Sequence, residues 1–151
     1  MGVSLRMLVA VLLSLIGFLF GVGHVSCMGA TDKVAEQTGE AVLDRDFKIH
    51  YGQELTLQGQ DLKIKFASLL DDSRCPANVK CVWEGDAKLL ISVRQGNAED
   101  SLLELHTNRR FTQEGKYQHY VIRLVAVDPH PRTNFKNKQN DYIVTLRITK
   151  I

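Results

Sequence analysis

The chain has 151 residues, room for one domain and little else. With 44% hydrophobic and 24% charged residues it is neither a disordered nor a collagen-like chain. A formal charge of +2 gives no field strong enough for nucleic-acid binding by bulk charge.

At the N terminus, Arg6 precedes residues 7–22 (MLVAVLLSLIGFLFGV), which carry no charge, and the small residues Gly23, Ser26 and Gly29 follow. A basic start, an apolar run and then small residues are the order of a secretory signal. The apolar run partitions into the bilayer while the positive end stays at the cytoplasmic face. A retained anchor is the alternative, since residues 7–25 are just long enough to span. His24 and the glycines at 17, 21 and 23 make a poor end to a span, so cleavage is the expectation. The stretch Gly23-His24-Val25-Ser26-Cys27 resembles a bacterial lipobox, although His24 stands where that motif has an aliphatic residue. The resemblance implies lipidation of Cys27 and attachment to a membrane; cleavage near Gly29 or Ala30 is the other outcome. Residues 28–46 are rich in charge and small side chains and read as a flexible tether.

From Phe47 the apolar residues recur with period 2, the signature of half-buried strands. Leu55 and Leu57 form the first alternating pair, and Leu62, Ile64 and Phe66 the next run. Ala87, Leu89, Ile91 and Val93 follow, then Leu103 and Leu105. Tyr120, Ile122, Leu124 and Ala126 are interleaved with Val121, Val125 and Val127, which predicts burial on both faces. Tyr142, Val144, Leu146 and Ile148 complete the set. Turn chemistry separates the runs at Tyr51-Gly52, Gly59-Gln60-Asp61, Gly96-Asn97 and Glu114-Gly115-Lys116. With no convincing helix after residue 46, the pattern predicts an all-β antiparallel sandwich, Ig-like or barrel-like, of six to eight strands over residues 47–151.

Three cysteines in an exported chain leave Cys75 and Cys81 as a pair once Cys27 is lipidated or removed. Their C-x5-C spacing lets the chain turn back and close a structural disulfide. It lacks the C-x-x-C spacing of redox-active pairs.

The stretch around them, DDSRCPANVKCVWEGDA (residues 71–87), is the most distinctive in the chain. It resembles a DSRCP-x-x-V-x-C-x-W-x-G-x-A signature of uncharacterised bacterial envelope proteins, many of them lipoproteins. LVAVDPHP (residues 124–131) and the closing strand after Tyr142 are similar to the end of that family. The resemblance implies secretion and a small β domain and brings no catalytic residue with it. Physically, Pro76 and the bridge fix a turn, and Trp83 lies two residues past Cys81, where its ring would cover the disulfide. Gly85 permits a bulge or a close backbone approach. Asp72 and Arg74 are expected to tie the loop to itself by a charge-assisted hydrogen bond.

Candidate chemistry is sparse. Asp71, Asp72, Glu84 and Asp86 bracket the cysteines and offer oxygens, but without the spacing of a calcium loop. His50, His106, His119 and His130 are scattered, and Ser73, Ser92 and Ser101 lack a nucleophile motif. The expectation is therefore a chain without enzymatic activity, cofactor or metal. Two long loops carry the binding potential: residues 107–118, with Arg109, Arg110 and Phe111, and residues 129–140, with Arg132, Phe135 and Lys136. Meeting at one end of the sandwich, they would form a basic, aromatic-bearing surface for an anionic glycan, a lipid headgroup or an envelope protein. The leading expectation is a binding or accessory protein of the bacterial envelope (periplasm or outer membrane), tethered through its N terminus, or else secreted. The alternatives are a secreted protease inhibitor presenting a rigid loop and an enzyme whose site is assembled only by folding.

Overall fold

The structure, a computed structural model, describes residues 40–151. The signal over residues 1–27, Cys27 and the part of the tether before Glu40 lie outside the described residues. The described chain is an all-β sandwich with one disulfide. Its strands are β1 (Glu40–Ala41), β2 (Asp46–His50), β3 (Glu54–Leu57), β4 (Leu62–Asp72), β5 (Ala87–Gln95), β6 (Ser101–His106), β7 (Glu114–Tyr117), β8 (Tyr120–Asp128) and β9 (Ile143–Lys150). A single 3₁₀ turn, Gln139–Asp141, precedes β9. One sheet has the order β1-β3-β4-β5-β6 and the other β2-β9-β8-β7. Every pairing is antiparallel except β1 against β3.

The alternation read from the sequence is what closes the core. Leu62, Ile64 and Phe66 of β4 face Ile91 and Val93 of β5 in register on one side of the first sheet, and all five are buried. From the second sheet Ile49, Ile122, Val144, Leu146 and Ile148 meet them. Each such side chain withdrawn from water contributes about 1.5–3 kcal/mol, which is why the phase of the alternation decides which face of a strand turns inward.

Four details differ from the sequence reading. The domain begins earlier than residue 47: Ala41 of β1 is buried against β3 and Leu43 packs on the core, because a small and a large apolar residue fill the sheet edge. Among the described residues the strands number nine, since the two-residue β1 and β7 (EGKY) carry no apolar alternation and β2 shows it only at Phe47 and Ile49. Glu114-Gly115-Lys116 is not a turn but strand β7, and the reversal falls at Gln118, whose φ is 49°. Gly115 is needed for a different reason, as a Cβ there would lie 2.8 Å from Leu103 Cδ1 in the facing sheet. Finally, β8 is not buried on both faces. A bulge between Leu124 and Ala126 turns Val125 to solvent and shifts the inward phase onto Val127, leaving Ala126 half-buried.

Candidate functional site

Strand polarity brings the distinctive segments together. Asp72 pairs with Ala87, Lys88 with His106, and Asp128 with Ile143. The 72–87, 106–114 and 128–143 connections therefore leave the sandwich at one end, joined across the two sheets by hydrogen bonds.

Arg74 is the centre of that junction and is only 9% exposed. Its Nε donates to Asp72 Oδ1 at 2.7 Å and its Nη2 to Asp72 Oδ2 at 2.8 Å, a bidentate pair that matches the planar fork of a guanidinium. The remaining donors cross to the other sheet. Nη2 reaches Pro129 O at 2.9 Å and Nη1 reaches Val127 O at 2.5 Å, with His130 Nδ1 3.5 Å away. All five guanidinium N–H groups thus find acceptors. Tyr142 donates its hydroxyl to Asp72 Oδ2 at 3.0 Å. Burial pushes the Tyr142 phenol above its ordinary pKa, and the neighbouring Asp72 carboxylate adds to the effect.

The disulfide loop is seated on the same scaffold. Cys75 and Cys81 are bonded, with Cα atoms 5.8 Å apart. His130 Nε2 donates to Cys75 O at 2.8 Å, Ala77 N to Pro131 O at 2.9 Å, and Asn78 exchanges bonds of 2.6 and 3.1 Å with Thr133. The Asp128–Pro129 peptide within this segment is cis. Gly85 has φ of 71°, and a Cβ on it would collide with Ser73 O and lie 2.7 Å from Arg74 Cα, the close approach read from the sequence. Trp83 differs from expectation. The residue is 64% exposed and its neighbour Val82 97%, so the indole is presented to solvent instead of being buried over the bridge.

The 106–113 connection is held by Asp86. Its Oδ1 accepts from Asn108 N at 2.9 Å and Thr107 Oγ1 at 3.2 Å, while Oδ2 lies 2.6 Å from His106 Nδ1. His106 Nε2 faces Glu104 Oε1 at 3.2 Å, so both ring nitrogens meet carboxylate oxygens. Burial alone would raise the Asp86 pKa, but the hydrogen bonds from His106, Asn108 and Thr107 and the His106 charge outweigh it and hold the carboxyl below its ordinary value. Buried Asn108 donates to Gly85 O at 2.8 Å and accepts from Arg110 N at 3.0 Å.

The candidate binding residues stand on this frame in two groups. Arg109, Arg110 and Phe111 are exposed at the tip of the first connection, with the Phe111 ring 4.9 Å from the His106 ring. Arg132, Phe135 and Lys136 are exposed on the second, where Arg132 and Phe135 close a small hairpin. The loops do not hydrogen-bond to each other. One is bonded to Gly85 and Asp86 and the other to Cys75, Ala77 and Asn78, at opposite limbs of the cysteine loop.

Beside the second loop runs a cleft of about 870 Å³, walled by residues 69–72 and 131–137 with Gln139 and Tyr142 at its edge. A second cavity of about 530 Å³ shares Arg132 and Phe135 and brings His130 near Asp141. Both His130 nitrogens are engaged by Cys75 O and Arg74, and Asp141 Oδ2 accepts from Lys138 N at 2.8 Å, so these groups serve the loop framework. Among the described residues no three His, Cys, Asp or Glu side chains gather as metal ligands, and no helix is long and apolar enough to cross a membrane.

Sequence reasoning missed His106, Asn108, His130 and Tyr142 as members of this scaffold. His130, inside the LVAVDPHP stretch, and Tyr142, at the head of the closing strand, carried a local signal. Compared with protein-family models, with curated proteins and with solved structures, the chain gives no match.

Proposed function

We propose that the chain is an exported binding module of the bacterial envelope, tethered through its N terminus and working through the loop end of the sandwich. It carries out no reaction of its own in this reading. The observation that supports it best is the contrast between frame and surface at that end. Arg74, Asp72 and the cysteine bridge fix the backbone beneath Arg132, Phe135 and Lys136, and Asp86 and Asn108 fix that beneath Arg109, Arg110 and Phe111, while these six side chains project into solvent. A loop whose backbone is already fixed pays little further ordering entropy for that backbone on binding, and exposed aromatics flanked by cations suit an anionic partner. The signal-like N terminus, the lipobox-like Cys27 and the resemblance of residues 71–87 to envelope proteins support the location. The test is capture from solubilised envelope fractions by the wild type and by Arg109→Ala/Arg110→Ala/Lys136→Ala. The triple variant is expected to lose capture with an unchanged unfolding midpoint, and full retention would refute the proposal.

A second reading is favoured by one feature, the exposed Val82 and Trp83 on a disulfide-closed loop. A rigid loop of that kind would suit a protease cleft. An inhibitor should slow at least one member of a protease panel at micromolar concentration, and no effect on any member dismisses it.

A further inference from the structure

We infer that the open edge of β4 takes up an extended, acidic peptide segment of a partner protein as an added strand, alongside the 131–137 hairpin. This rests on the binding-module reading and names the form of the partner.

The sheet leaves that edge unfinished. β4 is 11 residues long and pairs with β5 as far as Asp72, whereas β3 pairs only with Lys63, Ile64 and Lys65. The chain leading into β3 adds one more rung, Gly52 N to Phe66 O at 2.9 Å and Phe66 N to Gln53 O at 3.3 Å. Past Phe66, among the described residues, no backbone group pairs with β4 on the β3 side. The nearest approach is the side-chain amide of Gln139, 3.4 Å from Leu69 O and 3.5 Å from Ser68 Oγ. Donors and acceptors spaced along an extended chain complement another extended chain better than they do a sugar or a lipid, which is the basis of strand addition.

The surroundings define which peptide. The open edge forms one wall of the cleft of about 870 Å³, a volume in the usual range for ligand sites. The bulge between Leu69 and Asp71 turns Leu70 outward to 47% exposure, and Phe135 on the opposite wall is 61% exposed. These two offer an apolar seat for one side chain of the incoming strand. The same bulge, with that between Phe66 and Ser68, keeps the matching segment short. Arg132 and Lys136 form no ion pair among the described residues, while the Asp72 carboxylate is already neutralised by Arg74. Asp71 is the one acid left against two cations, so the free charge of the cleft is positive and complementary to an acidic segment.

The test titrates two capped peptides with the side-chain order Asp-Val-Thr-Val-Thr-Asp into the isotope-labelled full chain, followed by amide NMR. One peptide is unmodified, and the other is N-methylated at alternate residues, which keeps the side chains but removes the rungs. The expected result is slowed exchange and shifted amides confined to residues 67–72 and 131–137, with the methylated peptide at least about tenfold weaker. Arg132→Glu/Lys136→Glu, both at exposed sites, should weaken the unmodified peptide roughly tenfold and bind a version with Lys in place of Asp. Equal binding of the methylated peptide, responses elsewhere on the chain, or no response to either peptide would each overturn strand addition. If that happens while envelope capture still requires Arg109, Arg110 and Lys136, the binding-module reading survives alone; loss of both results removes both.

Discussion

The two ends of the sandwich are built from the same strands by different means. At the end opposite the cysteine loop, β3–β4, β5–β6 and β7–β8 are joined by short turns with a residue at positive φ: Gly59 at 72°, Gly96 at 59° and Gln118 at 49°. Their bonds are mostly local, such as Gln60 N to Leu57 O and Ala98 N to Gln95 O, both 3.0 Å. At the loop end the β2–β3 turn is short, but the 72–87, 106–114 and 128–143 connections are long, and the bonds that fix them reach across the chain, from Arg74 to Val127, from Asn78 to Thr133 and from Asn108 to Gly85. A short turn is specified by its own residues. A long loop holds one shape only when distant parts of the fold supply partners for its backbone.

The largest expected effect tests that dependence directly. Arg74→Leu would leave the Asp72 carboxylate, 7% exposed at its side chain, without its cation and would orphan the carbonyls of Val127 and Pro129. Breaking a buried pair from one side costs about 3–5 kcal/mol, measurable as a lowered urea midpoint. A loss under about 1 kcal/mol would mean that the loop end does not depend on Arg74.

A matched pair of glycine substitutions sharpens the contrast. Gly85 and Gly59 have nearly equal φ, 71° and 72°, but a Cβ meets the backbone of Ser73 and Arg74 at the first and nothing within 4 Å at the second. Gly59→Ala should cost about 1 kcal/mol for the left-handed conformation alone. Gly85→Ala should cost about 3 kcal/mol, since two backbone segments must also separate. Equal costs would show that the close approach carries no energy.

The smallest effect concerns pH. Because the Asp86 pKa is lowered by folding, its contribution is present above the ordinary carboxylate value of 3.8 and is lost as pH falls through the lower folded value. Amide exchange in residues 106–110 should therefore rise faster below about pH 4 than exchange in the turns at the opposite end. Asp86→Asn should remove the difference, and parallel acid profiles in the wild type would contradict it.

Much of the fold was legible because a half-buried strand writes its orientation at every second residue. Leu62, Ile64 and Phe66 are all buried, as are Val144, Leu146 and Ile148. Where the phase is broken by a bulge, as at Val125, the same logic misassigns a face, since an extra residue in one strand is invisible without its partner strand. The Asp72–Arg74 pair was legible for a similar reason: two residues apart in an extended stretch, they needed no distant partner to meet. Trp83 shows the limit. Its spacing from Cys81 allowed it to cover the bridge, but its exposure depends on what else fills that side of the loop.

The period-2 segments, the glycines at the tight turns, the cysteine pair and the charge-assisted bond within the loop were set locally, because each depends on neighbours a few residues away. That Arg74 reaches Val127 and Pro129, that His106 lies between Asp86 and Glu104, and that β3 stops short of the end of β4 came from the assembled fold. Those outcomes depend on strand order and register, which are set by how two whole sheets close over one core and not by any segment taken alone.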